Sequence, residues 1–132
     1  MSATITFFLV DDNDIDIAVN SKLLSLSGLG EKVHSFSGAR KFLEFVSDHT
    51  EEISKNPAVL LLDIMMPNMT GFDCLEEFNQ LPVDIKKNFI IFMLSSTIDR
   101  NDIKRAEATG LVKRLLEKPL DIYLLKTLLA DL

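Results

Sequence analysis

The sequence of 132 residues has no tryptophan, one tyrosine, one cysteine and two histidines. A lone Cys74 can form neither an internal disulfide nor a multi-thiolate metal site, so a reducing cytoplasm is the expected location. The two histidines, His34 and His49, share no metal-ligand spacing with other candidates and are expected at the surface. Lys and Arg form no cluster, and acids outnumber bases 20 to 14 for a net charge of -6, which argues against direct binding of nucleic acid through its phosphates. No apolar stretch approaches the ~20 residues of a membrane span. The opening MSATITFFLVDDND has no basic segment before its short apolar run, so neither a leader nor membrane insertion is expected. Linkers, low-complexity segments and internal repeats are also missing. What remains, 47% hydrophobic and 26% charged residues, predicts one globular domain over residues 1–132.

Four apolar runs have the length of strands: Ile5 to Val10, Ala58 to Leu62, Phe89 to Leu94 and Val112 to Leu116. They do not alternate with polar residues, the habit of parallel strands covered by helices on both faces. A weaker fifth strand is predicted at Lys32 to Phe36. Between the runs, apolar residues recur at helical spacing. Ala39, Phe42, Leu43 and Val46 form one stripe, Leu125, Leu128, Leu129 and Leu132 another, and Cys74, Leu75, Phe78 and Leu81 a third. Ile15, Val19, Leu23 and Leu26 form a looser fourth. Asp99 to Thr109, with Ile103 and Ala106 as its apolar pair, reads as the most exposed helix. Residues 47–57 read as a helix end and a polar connection, and 82–88 as another. Strand and helix thus alternate five times, predicting a doubly wound α/β sandwich in which five helices flank a parallel sheet of order 2-1-3-4-5.

Asp11 and Asp12 follow the first run, Asp63 the third strand, Ser95 the fourth and Lys118 the fifth. Each has an ordinary reading on its own: acids cap helices, Ser95 turns a loop, and Lys118 is solvated. Together they lie on the sheet edge where open α/β folds bind ligands, at the point where strand order reverses. Three neighbouring carboxylates repel one another unless a cation joins them. An all-oxygen donor set suits Mg²⁺, which works beside phosphate. A cation, an ammonium and a hydroxyl converging on one carboxylate is an arrangement that holds a phosphoryl group, with the carboxylate as nucleophile.

The pair Asp11-Asp12, the run LLLDIMMPNMTG containing Asp63, the LSS segment ending at Ser96, and Glu117-Lys118-Pro119 resemble, in order, the receiver domain of two-component response regulators. The resemblance implies a flavodoxin-like fold and a stand-alone signalling switch that catalyses only its own aspartyl phosphorylation and dephosphorylation. Asp63 would accept the phosphoryl group from a histidine kinase or histidine phosphotransfer protein. Asp12, Asp63 and the Met65 backbone carbonyl would bind Mg²⁺ directly and Asp11 through water, while Ser95 and Lys118 would contact the phosphoryl oxygens. It also implies a Lys118-Pro119 bond that is cis, an unidentified downstream target protein, and a monomer or a phosphorylation-dependent dimer. The donor is expected to dock around the first helix, near Ile15, Ala18 and Val19. Thr70 is expected to cap the helix beginning at Gly71.

Several positions depart from the family pattern. Leu115 stands where receivers usually carry Tyr or Phe, which shifts the expected output movement onto the loop from Ser95 to Arg100. The connection from Thr109 to Lys113 is one residue longer. Met65 and Thr97 cannot orient an attacking water well, so the aspartyl phosphate is expected to be long-lived. Met65, Met66 and Met69 could offer a small apolar surface to a partner helix, and Cys74 reads as a buried thiol. Two other functions are weighed. A Mg²⁺-dependent phosphohydrolase of haloacid-dehalogenase type would need an Asp where Met65 stands. A phosphorylation-independent scaffold would not need the complete set of five residues. A flavin is disfavoured by the scarcity of Trp and Tyr and by the absence of a Ser/Thr-rich loop after the first strand.

Overall fold

The computed structural model describes residues 5–29 and 32–130. Strands β1 (Thr6–Val10), β2 (Lys32–Phe36), β3 (Ala58–Asp63), β4 (Phe89–Ser95) and β5 (Val112–Glu117) form one parallel sheet of order β2-β1-β3-β4-β5. Every residue of β3 is buried, as its unbroken AVLLLD demands, whereas the edge strands β2 and β5 mix exposed and half-buried positions.

Successive residues on the central strands feed opposite faces. Phe8, Val10, Leu60, Leu62, Ile91 and Met93 pack on one side with α2 (Ala39–Asp48), α4 (Gly71–Phe78) and Ala106 of α6 (Arg100–Ala108). Phe7, Leu9, Val59, Leu61, Phe92 and Leu94 pack on the other against Leu24 of α1 (Asp14–Ser27) and Leu125 of α7 (Ile122–Ala130). The predicted α2 stripe of Ala39, Phe42, Leu43 and Val46 is entirely buried, as are Cys74, Leu75 and Phe78 on α4. Leu81 lies beyond the end of α4 and is half-buried; Leu132 lies outside the described residues.

Seven helices are present among the described residues, two more than the strand-helix alternation predicts. The extra ones are α3 (Thr50–Lys55) and α5 (Val83–Lys86), both inside segments read as polar connections. Each is short and buries a single side chain, Ile53 or Ile85, too little to produce a periodic signal. In α3, Glu51 and Glu52 sit in the first turn and Lys55 in the last, matching the helix dipole.

The α1 stripe requires a larger correction. Ile15 and Leu26 are each 73% exposed and Val19 44%, while the buried positions are Asn20 and Leu24. The inward face is therefore rotated from the one that hydrophobicity alone selects. On α6, Ala106 is buried but Ile103 is exposed.

His34 and His49 are half-buried rather than at the surface, because they join a run of aromatic rings. His34 stacks on Phe8 at 5.3 Å, His49 stacks on Phe45 at 3.9 Å, and burial pushes the His34 pKa down. Cys74 is fully buried, and that burial pushes its thiol up to about 12, leaving it unreactive.

The pairing of β5 with β4 slips by one residue. Ile91 lies opposite Val112 but Phe92 opposite Arg114, so Lys113 is an inserted residue and both Lys113 and Arg114 face solvent. No helix among the described residues is long and apolar enough to cross a membrane.

Candidate functional site

Strand register sets the site. Val10 pairs with Leu62, Asp63 with Leu94, and Ser95 with Glu117, so β1, β3, β4 and β5 end at nearly the same level. Asp11 and Asp12 leave β1, Asp63 and Ser95 end β3 and β4, and Lys118 leaves β5, all on one rim. Asp11, Asp63 and Ser95 are buried; Asp12 is exposed. Asp11, Asp12 and Asp63 each offer a carboxylate oxygen within 4.8 Å of the other two.

Lys118 reaches into this acidic group. Its Nζ lies 2.9 Å from Asp11 Oδ2, 3.0 Å from Asp16 Oδ2 and 3.4 Å from Asp63 Oδ1. Burial opposes its charge, but hydrogen bonding to Asp11 and Asp16, together with the Asp11 and Asp63 charges, raises its pKa overall. Burial and then the Asp11 charge push the Asp63 carboxyl up to about 6 from 3.8, against the pull of Lys118 and a Met65 N–H bond of 3.3 Å. The carboxylates therefore carry more negative charge than one ammonium balances.

The loops explain the placement. Asn13, rather than one of the acids, caps α1, its side chain accepting from the N–H groups of Ile15 and Asp16. Asp11 Oδ1 accepts from the Asn13 N–H at 2.9 Å, which holds that carboxylate in place. After β3, Asn68 takes a φ of 69° and the chain turns so that the Gly71 N–H reaches the Ile64 carbonyl at 2.9 Å. Thr70 caps α4 as predicted, in a reciprocal box with Asp73. The Lys118 N–H donates to the Ser95 carbonyl at 2.8 Å, and the Lys118-Pro119 bond is cis.

Ser95 is in place, but its hydroxyl donates to the Thr97 carbonyl at 2.5 Å and so is turned onto its own loop. Met65, two residues after Asp63, is 70% exposed, and Leu115 is half-buried opposite Met93 in the strand pairing. Sequence reasoning missed Asp16. Asn13 followed three residues later by an acid is the spacing of a capping box, a local role that conceals the contact with Lys118.

The residues fit a hard divalent cation. The donors are all oxygen, with Asp11, Asp12 and Asp63 close enough together to share one ion. Three gathered carboxylates facing a single ammonium leave negative charge that a cation would offset.

Comparison with known proteins agrees with this fold. The response regulator receiver domain family matches residues 7–130. A response regulator receiver protein from Dyadobacter fermentans is 36% identical, with a TM-score of 0.86 over 97% of this chain and 97% of that one. The chemotaxis protein CheY4 of Vibrio cholerae is 25% identical, with a TM-score of 0.78 over 98% of this chain and 100% of that one. A CheX-CheY-BeF3-Mg+2 complex from Borrelia burgdorferi shares the fold at 20% identity, with a TM-score of 0.76 over 96% of this chain and 87% of that one. No curated protein matches the sequence. With the five-stranded order, the acid group on its rim and a family match over nearly its whole length, the chain belongs to the response regulator receiver domain family.

Proposed function

We propose that the protein is a cytoplasmic phosphorelay receiver in which Asp63 takes a phosphoryl group from a histidine kinase or histidine phosphotransfer protein. The observation that carries this reading is the convergence of Asp11, Asp12, Asp63 and Lys118 on one rim, with Ser95 beside them. A carboxylate oxygen of Asp63 forms the new bond to phosphorus as the bond from phosphorus to the donor's imidazole nitrogen breaks. The bonding pair stays with that nitrogen, which takes a proton on leaving. Lys118 balances charge on the phosphoryl oxygens, and Ser95 supplies a hydroxyl once it leaves Thr97. Mg²⁺ held by Asp12, Asp63 and the Met65 carbonyl, with Asp11 through water, would supply charge neutralisation between the acids and the incoming phosphate. Donor docking falls to the exposed Ile15, Ala18 and Val19 of α1, which face solvent beside the site.

The direct test is incubation with Mg²⁺ and a small acyl phosphate, followed by intact-mass spectrometry. One phosphoryl addition is expected, absent in Asp63→Asn and absent without divalent cation. No addition to the wild type with metal present would leave the phosphorylation-independent scaffold as the better reading.

Decay of the product is expected to be slow. Met65 has a thioether and Thr97 a short hydroxyl where a side chain able to orient water would speed hydrolysis. Following the mass after removal of the phosphodonor checks this; loss within seconds would contradict it.

A further inference from the structure

Among the described residues, Asp16 is the one acid in contact with the site ammonium that belongs to neither the strand ends nor the acid group able to hold a cation. Its place is fixed: Asn13 Oδ1 accepts from the Asp16 N–H at 3.1 Å, locking the first turn of α1 beside the rim. From there Asp16 Oδ2 accepts from Lys118 Nζ at 3.0 Å, a shorter contact than the 3.4 Å between Lys118 and Asp63. Both groups able to meet a phosphoryl oxygen are therefore engaged elsewhere, Lys118 with Asp11 and Asp16, and Ser95 with Thr97.

We infer that Asp16 is a positioning residue that holds Lys118 toward α1 and competes with the phosphoryl group on Asp63 for its ammonium. This rests on the receiver reading above. An anion arriving at Asp63 gains the full Lys118 contact only in the fraction of molecules where the ammonium has left Asp16, and its apparent affinity is reduced by that fraction. The Asp16 side chain is 36% exposed, so solvent screens the pair and the expected effect is several-fold rather than orders of magnitude. Asp11 makes a similar contact but is buried within the acid group, so it cannot serve as a separable latch.

The test uses the full chain and beryllium fluoride as a phosphoryl mimic, titrated calorimetrically with Mg²⁺ saturating, with Mg²⁺ alone titrated separately. Asp16→Asn is expected to bind beryllium fluoride about threefold or more tightly, with Mg²⁺ affinity changed by less than about twofold. Asp16→Glu should restore the wild-type ratio. Asp14→Asn removes the same charge from the same turn, and Asp14 has no ion pair among the described residues, so it should behave as wild type. Wild-type-like or weaker binding by Asp16→Asn, or an equal gain in Asp14→Asn, would overturn the latch and leave the receiver reading intact. A wild type that binds no beryllium fluoride would overturn both.

Discussion

Replacing Asp63 by asparagine is expected to make the metal-free protein more stable at pH 7, by on the order of 2 kcal/mol, while abolishing phosphoryl transfer. Burial and the Asp11 charge raise the Asp63 pKa to about 6 from 3.8. The native state therefore binds that proton more tightly than the unfolded chain. The resulting stability is fully present below pH 3.8 and is lost as pH rises through about 6. At neutral pH the wild type folds with an ionised carboxylate that its surroundings oppose; the amide has nearly the same shape and no charge. Chemical denaturation at a series of pH values checks the sign. The gap between variant and wild type should be small near pH 3.8, widen up to about pH 6 and then level off. Saturating Mg²⁺ should stabilise the wild type more than the variant and shrink the gap. A variant no more stable than wild type at pH 7 without metal would mean that Lys118 already balances the site.

Gly71→Ala is expected to cost about 2–3 kcal/mol and to disturb the site as well as the fold. A Cβ at residue 71 would lie 2.5 Å from the Asp63 carbonyl oxygen, 2.8 Å from Met93 Cε and 3.1 Å from Ile64 Cα. The methionine tip could move, but the two backbone atoms belong to the end of β3 and the residue after it. Relieving the contact means pushing α4 off the sheet or shifting the backbone that carries Asp63. Denaturant melts should show the stability loss. Phosphorylation by acyl phosphate, measured under conditions where the variant is folded, should fall at least several-fold. Wild-type stability would show that α4 can retreat without cost.

The sheet was legible because its inner strands are buried on both faces, so FFLV, VLLL and IIFML announce themselves without reference to the rest of the chain. The candidate site was legible for a related reason: its residues sit at the ends of those same runs. What escaped prediction depends on contacts between distant segments. The buried face of α1 includes Asn20 while Ile15 and Leu26 face water, so hydrophobicity pointed the helix the wrong way. Ile53 and Ile85 each anchor a helix too short to show a period. The local signal at Asp16, three residues after the capping Asn13, points only to a helix cap; its contact with the site depends on a partner 102 residues away. The half-buried histidines follow the same rule, since His34 is drawn inward by rings from β1 and α2.

The inserted residue in β5 bears on how this edge of the molecule meets others. An open parallel sheet ends in a row of unpaired backbone groups that a strand from another chain can extend. Here the bulge breaks the regular spacing of that row, and Lys113 and Arg114 present two positive charges in succession where a regular strand would expose one. An approaching strand would find neither a matching ladder nor a neutral surface. The bulge and the two charges therefore disfavour extension of the sheet by a further strand at this edge.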